Sequence, residues 1–496
     1  MCEAAWARPD VFAPLATRAA CIGLLCSLAA CGSLAPPEDA AFNIEVPSAW
    51  GASSASDVQA AVNPSGPGAA PVSAASLAAW WQRFDDTQLE WLVGSALRAN
   101  TSLQGARAAL REAQALRDVA AASLWPRLDG SASAQRGTLG GHSTGNHFQA
   151  GLDAGWAIDL FGARRAAVDA GEAGVDASAA NLGDVQVQIA AEVALTYILL
   201  RSAQARSAIA RDNLASLQET LQITRWRQQA GLVTALESEQ ALAAVEQNRA
   251  LLPPLQTSAL HSQHALAVLT GRPPAALPDL ADPRPAAAVP QAREGLALMS
   301  IPAETLRQRA DVRAAEYQVA AALARVDQAQ AQRFPSFAIG GSLGLSAGSV
   351  GALGNASAVL GSLLASVTLP IFDGGALSAQ LRVQQAAMAQ AQAQYRAAVL
   401  TALQQVEDAL VALRGDRLRL ASLRVAADAA SNAASLARQR YGSGLVDFQT
   451  VLETQRTQFA TQDGVARASA DVGSDQVRLF KALGGGWSPN VETQNR

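Results

Sequence analysis

Four stretches of the chain alternate apolar and polar residues with period two. In 148–158, Phe148, Ala150, Leu152, Ala154, Trp156 and Ile158 share one face, opposite Gln149, Asp153 and glycines. In 337–346, Phe337, Ile339, Leu343 and Leu345 oppose Ala338, Ser342, Gly344 and Ser346. In 362–371, Leu363, Ala365, Val367, Leu369 and Ile371 oppose Ser362, Ser366 and Thr368. The weakest, 127–135, sets Leu128, Ala132 and Ala134 against Arg127, Asp129, Ser131, Ser133 and Gln135. This alternation predicts strands, each with about the 9–11 residues of a tilted transmembrane strand. Gly- and Ser-rich loops at 136–147 and 347–361 join them in pairs. Trp125, Phe148, Trp156, Phe334 and Phe372 fall near strand ends, where an aromatic girdle sits at a membrane surface.

Away from the strands the pattern is helical. Residues 376–441 hold no proline and one glycine, Gly415, so a single helix there reaches about 100 Å. The stretch 163–230 is similar and also lacks proline. Gly231 and Gly444 end these helices, as glycine does at a helix C-terminus. Residues 233–270 and 446–483 return as shorter partners, the first kinked by Pro253-Pro254. The result is two long antiparallel helical hairpins, which must lie against each other and against neighbours.

The chain repeats itself. Arg225-Trp-Arg-Gln-Gln-Ala-Gly-Leu-Val233 matches Arg438-Gln-Arg-Tyr-Gly-Ser-Gly-Leu-Val446 at five of nine positions, at an offset of 213. Trp125-Pro126 resembles Phe334-Pro335 at an offset of 209, and the Phe161-Gly162 turn resembles Phe372-Asp-Gly374. Matches outside the helices indicate a tandem duplication. Four strands cannot close a transmembrane barrel, since small ones begin at about eight, and lipid does not tolerate an open sheet edge. So either the strands form an ordinary half-buried soluble sheet, or several chains share one barrel, which apolar outward faces with small, polar inner faces would fit.

Composition narrows the setting. Charged residues are 16% of 496, net charge is −4, and only Lys481 among the 38 basic residues is lysine. No basic field for nucleic acid exists. All four cysteines, Cys2, Cys21, Cys26 and Cys31, lie in a segment with Arg8 and Arg18 ahead of a short apolar run, the layout of a secretory signal. It ends in Leu28-Ala-Ala-Cys31-Gly32, which looks like a bacterial lipobox. Cleavage leaves Cys31 first and acylated, and no thiol for a disulfide or metal site. The Pro-, Gly-, Ser- and Ala-rich stretch that follows reads as an extended tether.

Taken together, these features resemble the TolC/OprM outer membrane efflux factors, in their lipoprotein, NodT-like branch. The resemblance runs from about Trp80 to Gly485. It is carried by the lipobox, the Asp159-Leu-Phe-Gly162 and Pro370-Ile-Phe-Asp-Gly-Gly375 junctions, and the paired Gly-Leu-Val tips. It implies a mainly α fold with a small transmembrane β part. Three chains of four strands would form one twelve-stranded β-barrel, continuing into a long periplasmic α-helical barrel. The expected division is a signal at 1–30, a lipidated tether at 31–79, a first repeat at 80–271, a linker at 272–303, a second repeat at 304–485 and a tail at 486–496. The first repeat would hold strands at about 127–136 and 148–158, the second at about 336–346 and 362–371. The implied role is the outer membrane exit duct of a tripartite, RND-type pump for drugs or other small toxic compounds. It would work with an inner-membrane transporter and a periplasmic adaptor, without enzymatic activity. Channels for type I protein secretion and a non-channel coiled-coil envelope lipoprotein are the alternatives.

By the same resemblance, Gly231, Leu232 and Val233 form one adaptor-binding tip and Gly444, Leu445 and Val446 the other. Glu453 falls on a ring of acidic gate residues, and Thr450 where some relatives carry a second aspartate. Glu237 matches an acidic residue that latches the closed state, with Asp447 nearby. Three Glu453 carboxylates around a narrow pore would favour cations. Thr450, Thr454, Thr457 and Thr461 share one helical face. There is no Gly-Lys-Ser/Thr phosphate loop, and the Gly-x-Ser-x-Gly strings at 340–344 and 344–348 lie in and just past a predicted strand, not at a strand-to-helix elbow. His261 and His264 share a helix face without a third ligand in sequence, so no metal and no cofactor beyond the lipid on Cys31 is expected.

Overall fold

The computed structural model describes residues 77–138, 144–277, 280, 289–292, 306 and 308–487. Cys31, the signal, the tether up to residue 76, most of the 272–303 linker and residues 488–496 lie outside the described residues. A 3-10 turn at Trp80–Phe84 leads into α1 (Thr87–Ala99) and α2 (Thr101–Ala122). Strands β1 (Arg127–Thr138) and β2 (Thr144–Ile158) follow, then α3 (Ala163–Gln229), α4 (Ala235–Arg249) and α5 (Leu252–Leu269). The second half runs α6 (Ala310–Ala331), β3 (Ser336–Ala347), β4 (Val359–Thr368), α7 (Ala376–Gly442) and α8 (Phe448–Ala482).

The duplication is visible in lengths as well as letters. Helices α3 and α7 both have 67 residues, and their first residues, Ala163 and Ala376, stand at the 213-residue offset of the sequence repeat. Three pairs of left-handed glycines mark the same positions in each half. Gly162 and Gly375 precede the long helices at φ 82° and 90°. Gly231 and Gly444 follow them at 72° and 73°, and Gly271 and Gly484 end the returning helices at 72° and 75°. Only glycine reaches such angles without a Cβ penalty.

Each long helix begins on an aspartate at its junction. Asp159 Oδ2 accepts the backbone N–H of Arg165 at 2.9 Å. Asp373 accepts those of Gly375 and Leu377 at 2.8 and 2.7 Å. Burial pushes the Asp159 carboxyl up, but the N–H groups of Arg165 and Arg164 outweigh it and hold it below the ordinary value. The N–H groups of Leu377 and Gly375 do the same for Asp373. Both carboxylates thus occupy helix N-termini, where unpaired N–H groups favour negative charge.

The four strands form one antiparallel sheet in chain order, β1-β2-β3-β4. Its register confirms the faces read from the alternation. Leu152 stands opposite Leu343, Trp156 opposite Ile339, and Phe337 opposite Val367. On the other face Asp129 opposes Asp153, and the Ser342 and Ser362 hydroxyls meet at 2.7 Å. Two leucines break the polar face, Leu360 opposite Gly344 and Leu364 opposite Gly340, so each sits against a partner without a side chain.

Two expectations need correction. The last strand, expected at 362–371, runs Val359–Thr368. Alternation continues past its end into Leu369 and Ile371, but Pro370 has no N–H for a ladder. The Pro253-Pro254 kink is a full break. Helix α4 ends at Arg249, α5 begins at Leu252, and the prolines sit in its first turn, where missing N–H groups cost nothing. The duplicate, α8, spans the corresponding positions unbroken.

Candidate functional site: the helical tips

Each tip is a Schellman turn. Gly231 N–H donates to the Gln228 carbonyl at 2.9 Å and Leu232 N–H to that of Arg227 at 2.8 Å. Gly444 and Leu445 repeat this with Tyr441 and Arg440 at 3.0 and 2.9 Å. The turn projects the leucines outward, leaving Leu232 69% and Leu445 74% exposed. The valines named with them at the tips, Val233 and Val446, do not follow them. Val233 is half-buried, and Val446 packs on a core shared by the two hairpins, which includes Leu217, Leu221, Val245, Phe448 and Val451. The first tip adds exposed Trp226 and Leu236, which sequence reading did not single out. The position duplicating Trp226 is Gln439, so the two tips differ in apolar area.

Behind the tips, Tyr441 joins the hairpins. Its ring is buried in the shared core, stacked under the Arg227 guanidinium at 4.5 Å. Arg227 also donates to the Tyr441 carbonyl at 3.0 Å. The Tyr441 hydroxyl donates to Glu237 Oε2 at 3.4 Å. Burial, and the Glu237 carboxylate next, push the phenol above its ordinary value, so it remains a donor at neutral pH. Glu237 therefore faces Tyr441 and not Asp447. The Asp447 carboxylate caps α8, accepting the Thr450 N–H at 2.9 Å and its hydroxyl at 2.5 Å. The Thr450 hydroxyl, then its N–H, hold Asp447 below the ordinary carboxylate value.

Glu453 is exposed on α8, two helical turns past the second tip. The threonine face beside it is tied down. Thr454, Thr457 and Thr461 hydroxyls each donate to the carbonyl four residues back, at 2.8, 2.9 and 2.9 Å. That leaves their methyl groups and carbonyls as the surface. Farther from the tips, a groove of about 610 Å³ runs between α3, α7 and α8, lined by Asp212, Ser216, Arg424, Asp428, Arg438 and Gln458. Ties across the hairpins are polar. Arg206 pairs with Asp463 at 2.7 Å, and Gln455 Nε2 donates to Ser216 and Thr220 at 3.3 and 3.1 Å. Among the described residues, no three His, Cys, Asp or Glu side chains converge on a point that could hold a metal.

A family model described as outer membrane efflux protein matches residues 92–272 and 301–485, one match for each repeat. The chain is an outer membrane efflux protein. It is 33% identical to the pyoverdine export outer membrane protein OpmQ of Pseudomonas aeruginosa, covering 93% of this chain and 95% of that one. It is 32% identical to nodulation protein T of Rhizobium leguminosarum bv. viciae, covering 83% and 85%. Among solved structures, the outer-membrane channel OprN superposes with a TM-score of 0.80 at 33% identity, covering 90% of this chain and 99% of that one. The efflux protein is the outer membrane channel component of a tripartite efflux system, and it extends from the outer membrane into the periplasm. The sheet, with its apolar face, is its membrane part, and the hairpins are its periplasmic part.

Proposed function

We propose that this outer membrane efflux protein works as a homotrimeric, passive exit duct for drugs or other small toxic compounds, with no chemistry of its own. The observation that carries this reading is the sheet: four strands, an apolar face, and outer edges on β1 and β4 that pair with nothing among the described residues. Such a sheet survives in lipid only when other copies complete it, and three copies supply twelve strands. Relatives at 33% and 32% identity are named for pyoverdine export and for nodulation, which supports a duct that selects little among cargoes.

A periplasmic adaptor docks at the tips, where Gly231 and Gly444 shape the turns and Leu232 and Leu445 offer apolar knobs to a partner helical hairpin. Val446 braces the second turn from inside. The inner-membrane transporter supplies the energy, and a lipid on Cys31 anchors the chain. The Glu453 carboxylates of three copies face one another at the closed end and favour cations, with Thr450 alongside. Glu237 latches the closed state through Tyr441, and Asp447 stiffens the start of the gate helix.

Single-channel conductance of purified protein in planar bilayers tests this, wild type beside Glu453→Ala. Small, cation-preferring steps that lose selectivity in the variant are expected. Steps indifferent to the substitution remove the gate assignment, and protein that runs as a monomer without steps overturns the duct.

A further inference from the structure

A cavity of about 270 Å³ lies beside the core that the two hairpins share. Its walls are α3, α4 and α8, with Leu251 at the break between α4 and α5. Leu217 and Leu452, both members of the shared core, form an apolar floor. Two amides stand beside them, Asn248 on α4 at 5% exposure and Gln455 on α8 at 1%. Asn248 Oδ1 and Gln455 Oε1 are closed to solvent, and among the described residues no donor reaches either. Gln455 Nε2 donates to the Ser216 and Thr220 hydroxyls of α3, so the amide is held in place while its oxygen goes unserved.

The duplication shows that a hairpin does not need these amides. At the 213-residue offset Gln455 corresponds to Leu242, which packs on the shared core. Asn248 corresponds to Thr461, whose hydroxyl is satisfied by the Thr457 carbonyl of its own helix. An unpaired buried carbonyl oxygen is costly, and native folds keep few of them. Two such oxygens, on helices of different hairpins and lining one cavity, mark a place where donors come from outside the chain.

The lining says what those donors belong to. No carboxylate lines the cavity, so a metal ion or an ammonium group would have no counter-charge there. Both orphan groups are acceptors, so the buried end of a ligand carries O–H or N–H groups and no negative charge. Phe459 and Leu251 supply apolar walls nearer the opening, and the exposed Arg456 guanidinium stands at the rim. An apolar cavity of about 150 Å³ accommodates benzene, so about 270 Å³ takes one substituted ring. We infer that this cavity is a binding site for a small hydroxyaromatic acid. Its ring hydroxyls donate to Asn248 Oδ1 and Gln455 Oε1, its ring lies against Leu217, Leu452 and Phe459, and its carboxylate reaches Arg456. The bound ring ties α4 of the first hairpin to α8 of the second. The site is built within one copy and does not depend on the homotrimeric duct.

Calorimetric titration of the full chain in nanodiscs with protocatechuate, a dihydroxybenzoate, tests this beside catechol and benzoate. Saturable binding of one protocatechuate per chain is expected, with benzoate, which lacks the hydroxyl donors, about tenfold weaker or worse. Gln455→Leu installs the residue of the duplicate position and is expected to weaken protocatechuate about tenfold. Arg456→Gln is expected to weaken protocatechuate and leave catechol unchanged. Leu251→Trp fills the cavity from its half-exposed rim, leaves both amides in place, and is expected to abolish binding of both. Protocatechuate should also raise the melting temperature of wild type and not of Leu251→Trp. Benzoate binding as tightly as protocatechuate, or protocatechuate binding that ignores Gln455→Leu and Leu251→Trp, overturns the site. So does the absence of saturable binding to folded wild type, which leaves the cavity to water alone.

Discussion

The sharpest test of the latch is Tyr441→Phe. The ring, its place in the shared core and its stacking under Arg227 all remain. Only the hydroxyl is lost, and with it the 3.4 Å bond to Glu237 and the hydroxyl's contacts with Thr224 and Arg227. A bond to a charged acceptor contributes up to about 3 kcal/mol, but this one is long, so about 1 kcal/mol is the fitting figure. That shifts the closed-to-open ratio about fivefold per copy. If three copies release together, the open population rises on the order of a hundredfold. The assay is open probability in planar bilayers, beside uptake of a bulky hydrophilic antibiotic by cells. Glu237→Ala is expected to add little on top of Tyr441→Phe, because both remove the same contact. Tyr441→Ala is the contrasting case: it empties a buried aromatic site, at about 3–5 kcal/mol, and loosens the whole tip. If Tyr441→Phe matches wild type while Tyr441→Ala leaks, packing holds the tip shut and the hydroxyl latch is wrong.

Three further outcomes are expected. Gly444→Ala meets nothing within 4 Å, so its cost in a thermal melt reflects only the left-handed backbone, about 1–2 kcal/mol; Gly271→Ala costs more, since its Cβ would stand 2.5 Å from the Ala99 carbonyl. Trp226→Ala and Leu232→Ser weaken binding of the cognate adaptor, read by pull-down or biosensor, more than Leu445→Ser does, because the first tip exposes the larger apolar patch. Asp475 is buried with Arg478 on one oxygen at 2.7 Å and no donor on the other, and burial pushes its carboxyl up, with Asp416 of α7 adding to the shift. Its raised value stabilises the fold fully below about pH 3.9 and loses that contribution as pH rises through the raised value. Wild type should therefore gain melting temperature as pH falls through the raised value toward about 3.9, and Asp475→Asn should flatten that slope.

Much of this was legible along the chain, because its signals are local. Period-two faces survive in the sheet register, and glycines at helix ends carry the left-handed angles expected of them. The errors are local too. Alternation alone does not report a missing N–H, so it predicts a last strand three residues late, across Pro370. The Gly-Leu-Val string does not say which side chain turns inward; the hairpin core settles that for Val446. The Tyr441–Glu237 contact was hidden for another reason. The residues stand 204 apart, and no spacing rule links side chains that meet only when two hairpins pack. Asp447 and Thr450 were singled out by position, but their bond to each other is an ordinary helix cap.

The equal length of α3 and α7 constrains how this gene can change. A residue inserted into one long helix lifts its tip by about 1.5 Å and rotates everything beyond by about 100°. The neighbouring tip stays where it was. One of the two tips in every copy would then fall out of line with the other. Insertions and deletions should survive only as matched pairs, one per repeat, in multiples of seven or eleven that return each helix close to its original face. Drift in the letters is free, whereas drift in the length is not. The two halves can diverge until their common origin is hard to read and still be held to the same count of 67.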